Sequence, residues 1–399
     1  MPHARPILVL NCGSSSVKFA VYPGEATAPT LAKGALEVPW LSGQVSGLPD
    51  RARLHWQPAG EQVLECALAS VRSHRDAVDL LLERLSEPAS GMATPVVVGH
   101  RVVHGGGHFD RPVEVNETVL QTLEEQVPLA PLHQPHNVAG IRAVAAHVPG
   151  VRQIACFDTA FHATQPPLHT TFALPAAMRD RGVRRYGFHG LSYQFIADRL
   201  VDEIGSAADG RVIVAHLGSG ASVCGMRHRQ SVRTSMGMTA LDGLVMGTRP
   251  GSVDIGVALY AMTTLGMDAA SLARALYDQS GLLGLSGLSA DVRILLASDR
   301  PQAALAIDMF CERAAQEIAA TAVALGGCDL LVFTAGIGEN SPAIRANIVR
   351  RLSWMGLQMD EAANARNAAL ISGPESLMAV RVLATDEQAV IAEACRRWL

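Results

Sequence analysis

The chain has 399 residues, enough for two or three domains with sizeable cores, and its 49% hydrophobic and 18% charged content with 36 Gly and 21 Pro excludes disorder, fibrous structure and small disulfide scaffolds. Thirty-three basic against 37 acidic residues give a net charge of −4, so no global positive field favours nucleic acid or anionic lipid, and any bound anion needs a local site. The seven cysteines, Cys12, Cys66, Cys156, Cys224, Cys311, Cys328 and Cys395, are scattered and never spaced CxxC, which points to reduced thiols in a cytoplasmic protein rather than to a zinc site or disulfide frame.

Ile7–Cys12 reads as a buried strand, Gly13–Ser16 as a turn and Val17–Tyr22 as a returning strand. Its apolar run is too short for a signal-peptide core. Asn11, Ser14, Ser16 and Lys18 surround the turn with short polar groups and one cation, suited to phosphate oxygens and a hydrated Mg²⁺, or else an ordinary polar β-turn. Lysine is scarce here, only Lys18 and Lys33 among the 33 basic residues, so a lysine inside a Gly/Ser turn stands out.

Helical periodicity (Val71, Val78, Leu81, Leu82, Leu85) marks Ser70–Ser86, and Pro95–Gly99 reads as a short buried strand leading into Arg101. His100–Gly107 then offers an arginine and three glycines that let backbone approach a ligand closely; alternatively Arg101 is simply solvated. Helices are expected at Asn116–Gln126 and Asn137–His147, and a strand at Val151–Phe157 with Asp158 at its end, as a site carboxylate or a helix N-cap. Thr159–Met178 is the longest stretch free of Asp, Glu, Lys and Arg, but its three prolines and two histidines bar it from being a membrane span. His189 stands at a helix entrance, as a site imidazole or a packed ring.

Shifting the sequence by 205 residues lays Val212–Ser219 over Ile7–Ser14: an apolar strand, then Gly-Ser and a returning strand, which reads as two related halves. Met246–Gly251 holds Arg249 in a Gly/Pro loop. A third strand, Leu330–Thr334, runs into a Gly-rich turn at Ala335–Asn340, with Ser341 as N-cap and Pro342 as first helical residue, a junction able to bind nucleotide through backbone N–H groups. Thr385–Gln388 reads as a capping box opening the last helix, leaving Glu387 available to a metal. Strand and helix alternation throughout predicts α/β architecture. Walker A is excluded because no Gly-Lys pair exists, and no turn completes GxGxxG. Ser15–Lys18 matches S-x-x-K, but no Lys-Thr-Gly accompanies it.

Nine segments in order from Val9 to Ala392, among them VLNCGSSSVKF, GHRVVHGGGHF, LAPLHQPHN, CFDTAFHATQP, RYGFHGLSY, TSMGMTALDGLVMGTRPGS, FTAGIGENS and TDEQAVIA, resemble the acetate kinase family of carboxylate kinases, within the actin, Hsp70 and sugar kinase superfamily. The resemblance implies a two-domain duplicated actin-like (ribonuclease H-like) fold with an interdomain ATP cleft, residues 1–150 plus a returning helix 386–399 forming one domain and 151–385 the other. It implies ATP-dependent, reversible phosphorylation of acetate, with Mg²⁺ (Mn²⁺ as substitute) and a homodimer. Asn11 and Glu387 would hold the metal. Ser14, Ser16, Lys18, His216, Leu217, Gly218, Ser219, Gly220, Asp291, Val292, Arg293, Gly336, Ile337, Gly338, Glu339 and Asn340 would bind ATP. Arg101, His133, Asp158, His189 and Arg249 would surround the transferred phosphoryl group, and Arg101, Val103, Leu132, Phe188 and Ala240 would receive the carboxylic acid.

A carboxylate is ionised at pH 7 and needs no strong general base, so Asp158 is expected to act by position and charge. The family often carries Pro where this chain has Ala240, and Asn where it has Ser219; the first departure leaves room for propionate. Two arginines facing a neutral hydroxyl would be unpaired, which disfavours a sugar kinase. An ATP-driven switch would need neither arginine loop nor His189.

Overall fold

The structure is a computed structural model that describes residues 5–13, 15–25, 38–87 and 94–399. The chain forms two compact units: one runs through Phe161 and resumes at Asp386–Leu399, the other spans His162–Thr385. Each is an α/β unit built on a single sheet.

The first unit contains β1 (Ile7–Cys12), β2 (Ser16–Tyr22), β3 (Leu41–Ser46), β4 (Arg53–Pro58), β5 (Leu64–Ala67), α1 (His74–Ser86), β6 (Val97–Val102), β7 (Val113–Glu114), α2 (Glu117–Glu125), α3 (Gln134–His147) and β8 (Arg152–Phe157). The strands order as β5-β4-β3-β2-β1-β6-β8-β7. The first helix starts later than its periodicity suggests because Ser73 caps it: the hydroxyl accepts from Asp76 N–H while the Asp76 carboxylate accepts from Ser73 N–H, a reciprocal cap that fixes the helix start. Pro135 sits in the first turn of α3, where its missing N–H costs nothing, so the helix begins ahead of the expected Asn137. The strand expected to stop at Gly99 continues to Val102, which places Arg101 within the sheet. The expected break after residue 150 precedes β8, yet β8 pairs in parallel with β6 and therefore belongs to this unit.

Alternation along the strands sorts the two faces. Leu8, Leu10 and Cys12 of β1 and Val17, Phe19 and Val21 of β2 pack in one core with Val78, Leu81, Leu82 and Leu85 of α1 and with Ala143 and Val144 of α3. The opposite face carries Asn11 and Lys18, directly paired across the hairpin.

The second unit contains α4 (Pro167–Thr170), α5 (Ala176–Arg179), α6 (Gly190–Ile204), β9 (Val212–Leu217), β10 (Ala221–Arg227), β11 (Gln230–Thr234), α7 (Ile255–Thr263), α8 (Ala269–Asp278), α9 (Gly281–Ser286), α10 (Val292–Leu296), α11 (Pro301–Leu325), β12 (Leu330–Thr334), α12 (Ala335–Asn340), α13 (Pro342–Arg351), α14 (Glu361–Ala365) and β13 (Ala379–Val382), before α15 (Glu387–Arg396) returns to the first unit. Its sheet runs β11-β10-β9-β12-β13. The 205-residue echo has a structural counterpart: β1–β2 and β9–β10 are antiparallel hairpins, and each first strand then takes a parallel neighbour, β6 or β12.

Two local expectations are corrected. Ala335–Asn340 is not an open glycine turn but the short helix α12, entered through Ala335 at φ 63°; Ser341 precedes Pro342 and α13 without a side-chain cap. The last helix is capped by Asp386, which accepts from Ala389 N–H at 3.0 Å, rather than by Thr385, because the carboxylate is already one position closer to the first turn. Helix α15 lies tightly on the Asn11 face of the first sheet. A Cβ on Gly99 would meet the Ile391 side chain and lie 2.6 Å from Cys395 Sγ, so only glycine permits this approach. Among the described residues no helix is long and apolar enough to cross a membrane.

Candidate active site

In the first unit, parallel pairing of β1, β6 and β8 sets Arg101 between Asn11 and the end of β8. The Arg101 guanidinium grips Asp158 at two points: Nε donates to Oδ1 at 3.0 Å and Nη2 to Oδ2 at 2.6 Å. Its Nη1 donates to Asn11 Oδ1 at 3.2 Å, and Glu387 Oε2, from the first turn of α15, is 3.9 Å from Nε. Asp158 is 1% exposed in its side chain and Arg101 19%. Sequence reading left the arginine fork to substrate or to solvent; the structure turns two of its N–H groups onto the buried Asp158 carboxylate.

Burial disfavours the Arg101 charge, but Asp158 and then Glu387 more than offset it, and the guanidinium is held above its ordinary range. Burial likewise pushes the Asp158 carboxyl up, against the pull of Arg101, with Glu387 adding to the rise and His133 opposing it. His133 occupies the N-cap position of α3.

The glycine loop after β6 is fastened to α3 by residues that the sequence did not single out. Asn137 accepts from Val103 N–H at 3.0 Å and donates to Cys12 C=O at 2.8 Å, and Gln134 exchanges hydrogen bonds with the His104 backbone. Both amides lie inside the quoted LHQPHN segment, so their proximity to a candidate histidine was the available signal. Val103 is buried, whereas Leu132 is 39% exposed. Ser16 opens β2, its carbonyl accepting from Gly13 N–H at 2.8 Å. Lys18 lines an open groove of about 430 Å³ with Gln44, His55 and Gln388. Ser14 lies outside the described residues.

In the second unit, His189 adopts a left-handed backbone (φ 60°) at the N-cap position of α6. Its Nδ1 is 2.8 Å from Ser222 Oγ, and its ring stacks on His216 at 4.2 Å, the β9 residue whose Nδ1 bonds Ser192 Oγ at 2.8 Å. The hairpin turn after Leu217 is closed by Gly218 N–H donating to Gly220 C=O at 3.0 Å. A Cβ on Gly220 would lie 2.7 Å from Arg249 Nη2 and 3.2 Å from His189 Nε2. Two side-chain nitrogens therefore converge over bare backbone.

Arg249 is locked by its Nη1 donating to Ala240 C=O at 2.8 Å. Its loop is pinned by Met246 N–H to Arg249 C=O and by Gly247 N–H to Ser219 C=O, each 3.0 Å. Gly281, overlooked in sequence, makes this possible: at φ +62°, a Cβ there would lie 2.7 Å from Arg249 O. Phe188 is buried, its carbonyl 2.9 Å from His162 Nε2.

The remaining expected nucleotide residues sit on α10 and α12. Asp291 caps α10 by accepting from Arg293 N–H at 2.8 Å and also pairs with the largely exposed Arg293 guanidinium at 2.6 Å; Val292 is buried. On α12, Glu339 accepts from Thr385 N–H at 3.1 Å, and Asn340 donates back to Gly336 C=O at 3.0 Å. Fully buried Arg345 clasps the carbonyls of Gly338 and Glu339 at 2.8 and 2.9 Å, which holds the Gly336–Ile337–Gly338 turn in place.

A sequence model of the acetokinase family matches residues 6–393. The chain is 47% identical over 392 residues to an acetate kinase of Rhodopseudomonas palustris (strain TIE-1), covering 97% of this chain and 96% of that one. It is 43% identical over 395 residues to an acetate kinase of Rickettsia felis, covering 98% and 99%. Among solved structures it is similar to a propionate kinase from Francisella tularensis, with TM-score 0.91, 34% identity and coverage of 98% and 99%. It is also similar to an acetate kinase from Porphyromonas gingivalis, with TM-score 0.87, 36% identity and coverage of 99% of both chains.

Proposed function

The chain belongs to the acetokinase family and is a kinase, and from that premise we propose that it phosphorylates acetate reversibly, moving the γ-phosphoryl group of ATP directly onto a carboxylate oxygen to give acetyl phosphate. The observation that carries the reading is the convergence of Arg249 Nη2 and His189 Nε2 over Gly220. Donors fixed in one place over a glycine suit an oxyanion whose negative charge spreads over three equatorial oxygens in a loose transition state.

Acetate arrives ionised, so no residue has to remove a proton. Arg249 and Arg101 offset the repulsion between the two anions, and His189 donates a hydrogen bond to the group in transfer. Three of the five N–H groups of Arg101 are taken up by Asp158 and Asn11, which leaves two for substrate. Asp158 thus acts through Arg101, fixing the plane of its guanidinium. His133 adds positive charge beside Asp158 when protonated. Val103, Leu132, Phe188 and Ala240 supply the apolar surround for the methyl group. Lys18, Ser14, Ser16 and the His216–Gly220 hairpin are proposed to bind the ATP phosphates, with Asp291–Arg293 and Gly336–Asn340 holding the nucleoside.

The donor set of the first unit fits Mg²⁺. Asn11 Oδ1 and the Glu387 carboxylate are hard oxygen ligands near Arg101, and Mg²⁺ is ordinarily held by one or two protein oxygens together with substrate phosphates and water. Among the described residues there is no cluster of three His, Cys, Asp or Glu that could hold a metal. When bound at Asn11 and Glu387, Mg²⁺, or Mn²⁺ in its place, supplies charge neutralisation on the phosphates.

Propionate is proposed as a second substrate, because Ala240 is small and the Francisella tularensis protein is a propionate kinase. A second copy of the chain is the proposed partner. Helix α7 exposes Ile255, Leu259 and Met262 on one side and Val257 and Tyr260 on the other, along a segment without a charged residue, an apolar surface of the kind a partner covers. The seven thiols are unbonded, which supports placing the protein in the cytoplasm. The test is hydroxamate trapping of acyl phosphate from acetate, propionate and butyrate with Mg²⁺ and ATP. Product from acetate that vanishes in Arg249→Ala supports the proposal; no product from any acid, with ATP still bound, overturns it.

A further inference from the structure

Behind His189 lies a run of buried side chains that the reading above does not use. The Tyr193 hydroxyl lies 2.5 Å from Ser222 Oγ, and the same Oγ lies 2.8 Å from His189 Nδ1. Tyr193 and Ser222 are fully buried. Tyr193 sits on α6, one turn after His189, and its backbone N–H donates to His189 C=O at 3.1 Å. Ser222 is on β10, opposite His216 of β9.

We infer that Tyr193 and Ser222 are positioning residues that hold His189 as the Nε2–H tautomer, so that the face it turns towards Gly220 and Arg249 is a hydrogen-bond donor. This rests on the proposed role of His189 at the transferred phosphoryl group and specifies how that role is set. A serine hydroxyl has one proton to give, so the Oγ between Tyr193 and His189 can donate to only one of them. A phenol is a better donor and a poorer acceptor than an aliphatic alcohol, its lone pair being shared with the ring. The short contact is therefore Tyr193 O–H donating to Ser222 Oγ. Burial raises the Tyr193 pKa well above its ordinary value, which keeps that proton on the phenol at neutral pH. Ser222 then donates to Nδ1, Nδ1 is the bare nitrogen, and the ring proton resides on Nε2.

The opposite polarity would place a lone pair at Nε2, 3.2 Å from the position over Gly220 where Arg249 also points. An acceptor there would repel a phosphoryl oxygen. The stack on His216 and the left-handed backbone fix the plane and direction of the ring; the Tyr193–Ser222 relay fixes which edge carries hydrogen. All the groups involved lie within the second unit.

The test pairs a spectroscopic readout that needs no substrate with kinetics. In ¹⁵N-histidine-labelled enzyme at about pH 8, where a free imidazole is neutral, the signal assigned to His189 by its loss in His189→Gln should show a pyrrole-type Nε2 and a pyridine-type Nδ1. In Tyr193→Phe, which keeps the packed ring, and in Ser222→Ala, the two nitrogens should move toward averaged shifts. Loss of a neutral hydrogen bond predicts kcat down about 5- to 10-fold with KM for ATP moving by less than about twofold. Because Tyr193 acts through Ser222, Tyr193→Phe should add nothing in the Ser222→Ala background. A pyridine-type Nε2 in the wild-type protein overturns the inference, as does a Tyr193→Phe enzyme with unaltered His189 shifts. If the tautomer is as stated but no acyl phosphate forms in the wild type, the proposed function fails and the relay stands.

Discussion

Arg101 and Asp158 stand at the ends of neighbouring parallel strands, β6 and β8, and close a two-point ion pair with donor–acceptor distances of 3.0 and 2.6 Å. The pair aims the remaining Arg101 N–H groups, so Asp158 is needed for the direction of the cation as much as for its charge. Asp158→Asn keeps the shape and removes the charge. Turnover should fall about 10²-fold, the cost of misplacing a catalytic group by an ångström, and stability should fall by up to about 3–5 kcal/mol, because a largely buried guanidinium loses its partner. Steady-state kinetics alongside denaturant unfolding checks both; near-normal turnover removes any essential charge role for Asp158.

Gly220 is the floor over which Arg249 and His189 meet. In Gly220→Ala the new methyl would press on the Arg249 guanidinium and the edge of the His189 ring rather than on backbone, so the fold should persist with little change in melting temperature. Arg249 should be displaced, and kcat/KM should drop by about 10²-fold. Wild-type kinetics in this variant would show that Arg249 does not act from the position described.

Gly99 sets the distance between β6 and α15, the helix that carries Glu387. Gly99→Ala should cost about 1–3 kcal/mol through overpacking. It should also raise the Mg²⁺ concentration needed for half-maximal activity, since Glu387 moves with its helix. A destabilised enzyme with an unchanged Mg²⁺ requirement would separate Glu387 from the metal.

Asn11, Lys18, Arg101, Asp158, His189, Arg249 and Glu387 stood out from their local pattern and the resemblance supplied their roles, and the local elements were legible where periodicity or caps are strong: β1, β12 and the 205-residue echo. Less legible was what each side chain touches. Arg101 reads from sequence as a strand-end cation for substrate, but only the pairing of β6 with β8 shows that its fork faces Asp158. Tyr193 and Asn137 lie inside quoted segments, but no spacing reveals their roles or those of Ser222 and Gly281, because these arise from contacts between separate elements. The helix at Ala335–Asn340 was hidden by its glycines, whose local preference is overruled by the clasp of Arg345.

His100 and His162 are buried, and burial pulls each down to about 4, against weaker support from Gln153 and from the Phe188 carbonyl respectively. In the unfolded chain each titrates near 6.5. Between these values the unfolded state binds the proton and the folded state does not, so stability rises with pH there. Their contribution is fully present above about pH 6.5 and lost as pH falls towards 4, up to about 3 kcal/mol for each ring. Urea unfolding from pH 7 to 4 should show the loss, and His162→Gln should flatten it; a flat wild-type profile would contradict this.

The proposed second copy would cover the side of helix α7 that exposes Ile255, Leu259 and Met262. Leu259→Glu, a residue 61% exposed, should leave the fold intact while converting dimer to monomer in analytical ultracentrifugation. A wild-type chain that sediments as a monomer would rule out that partner.

The measurement that bears most directly on the whole account is ³¹P NMR of the enzyme with Mg²⁺, ATP and ¹⁸O-labelled acetate. Direct attack by a carboxylate oxygen predicts acetyl phosphate whose phosphorus signal is shifted by ¹⁸O in the bridge, formed by the wild type and absent in Arg249→Ala. Phosphate released to water, with no labelled acyl phosphate, would contradict it.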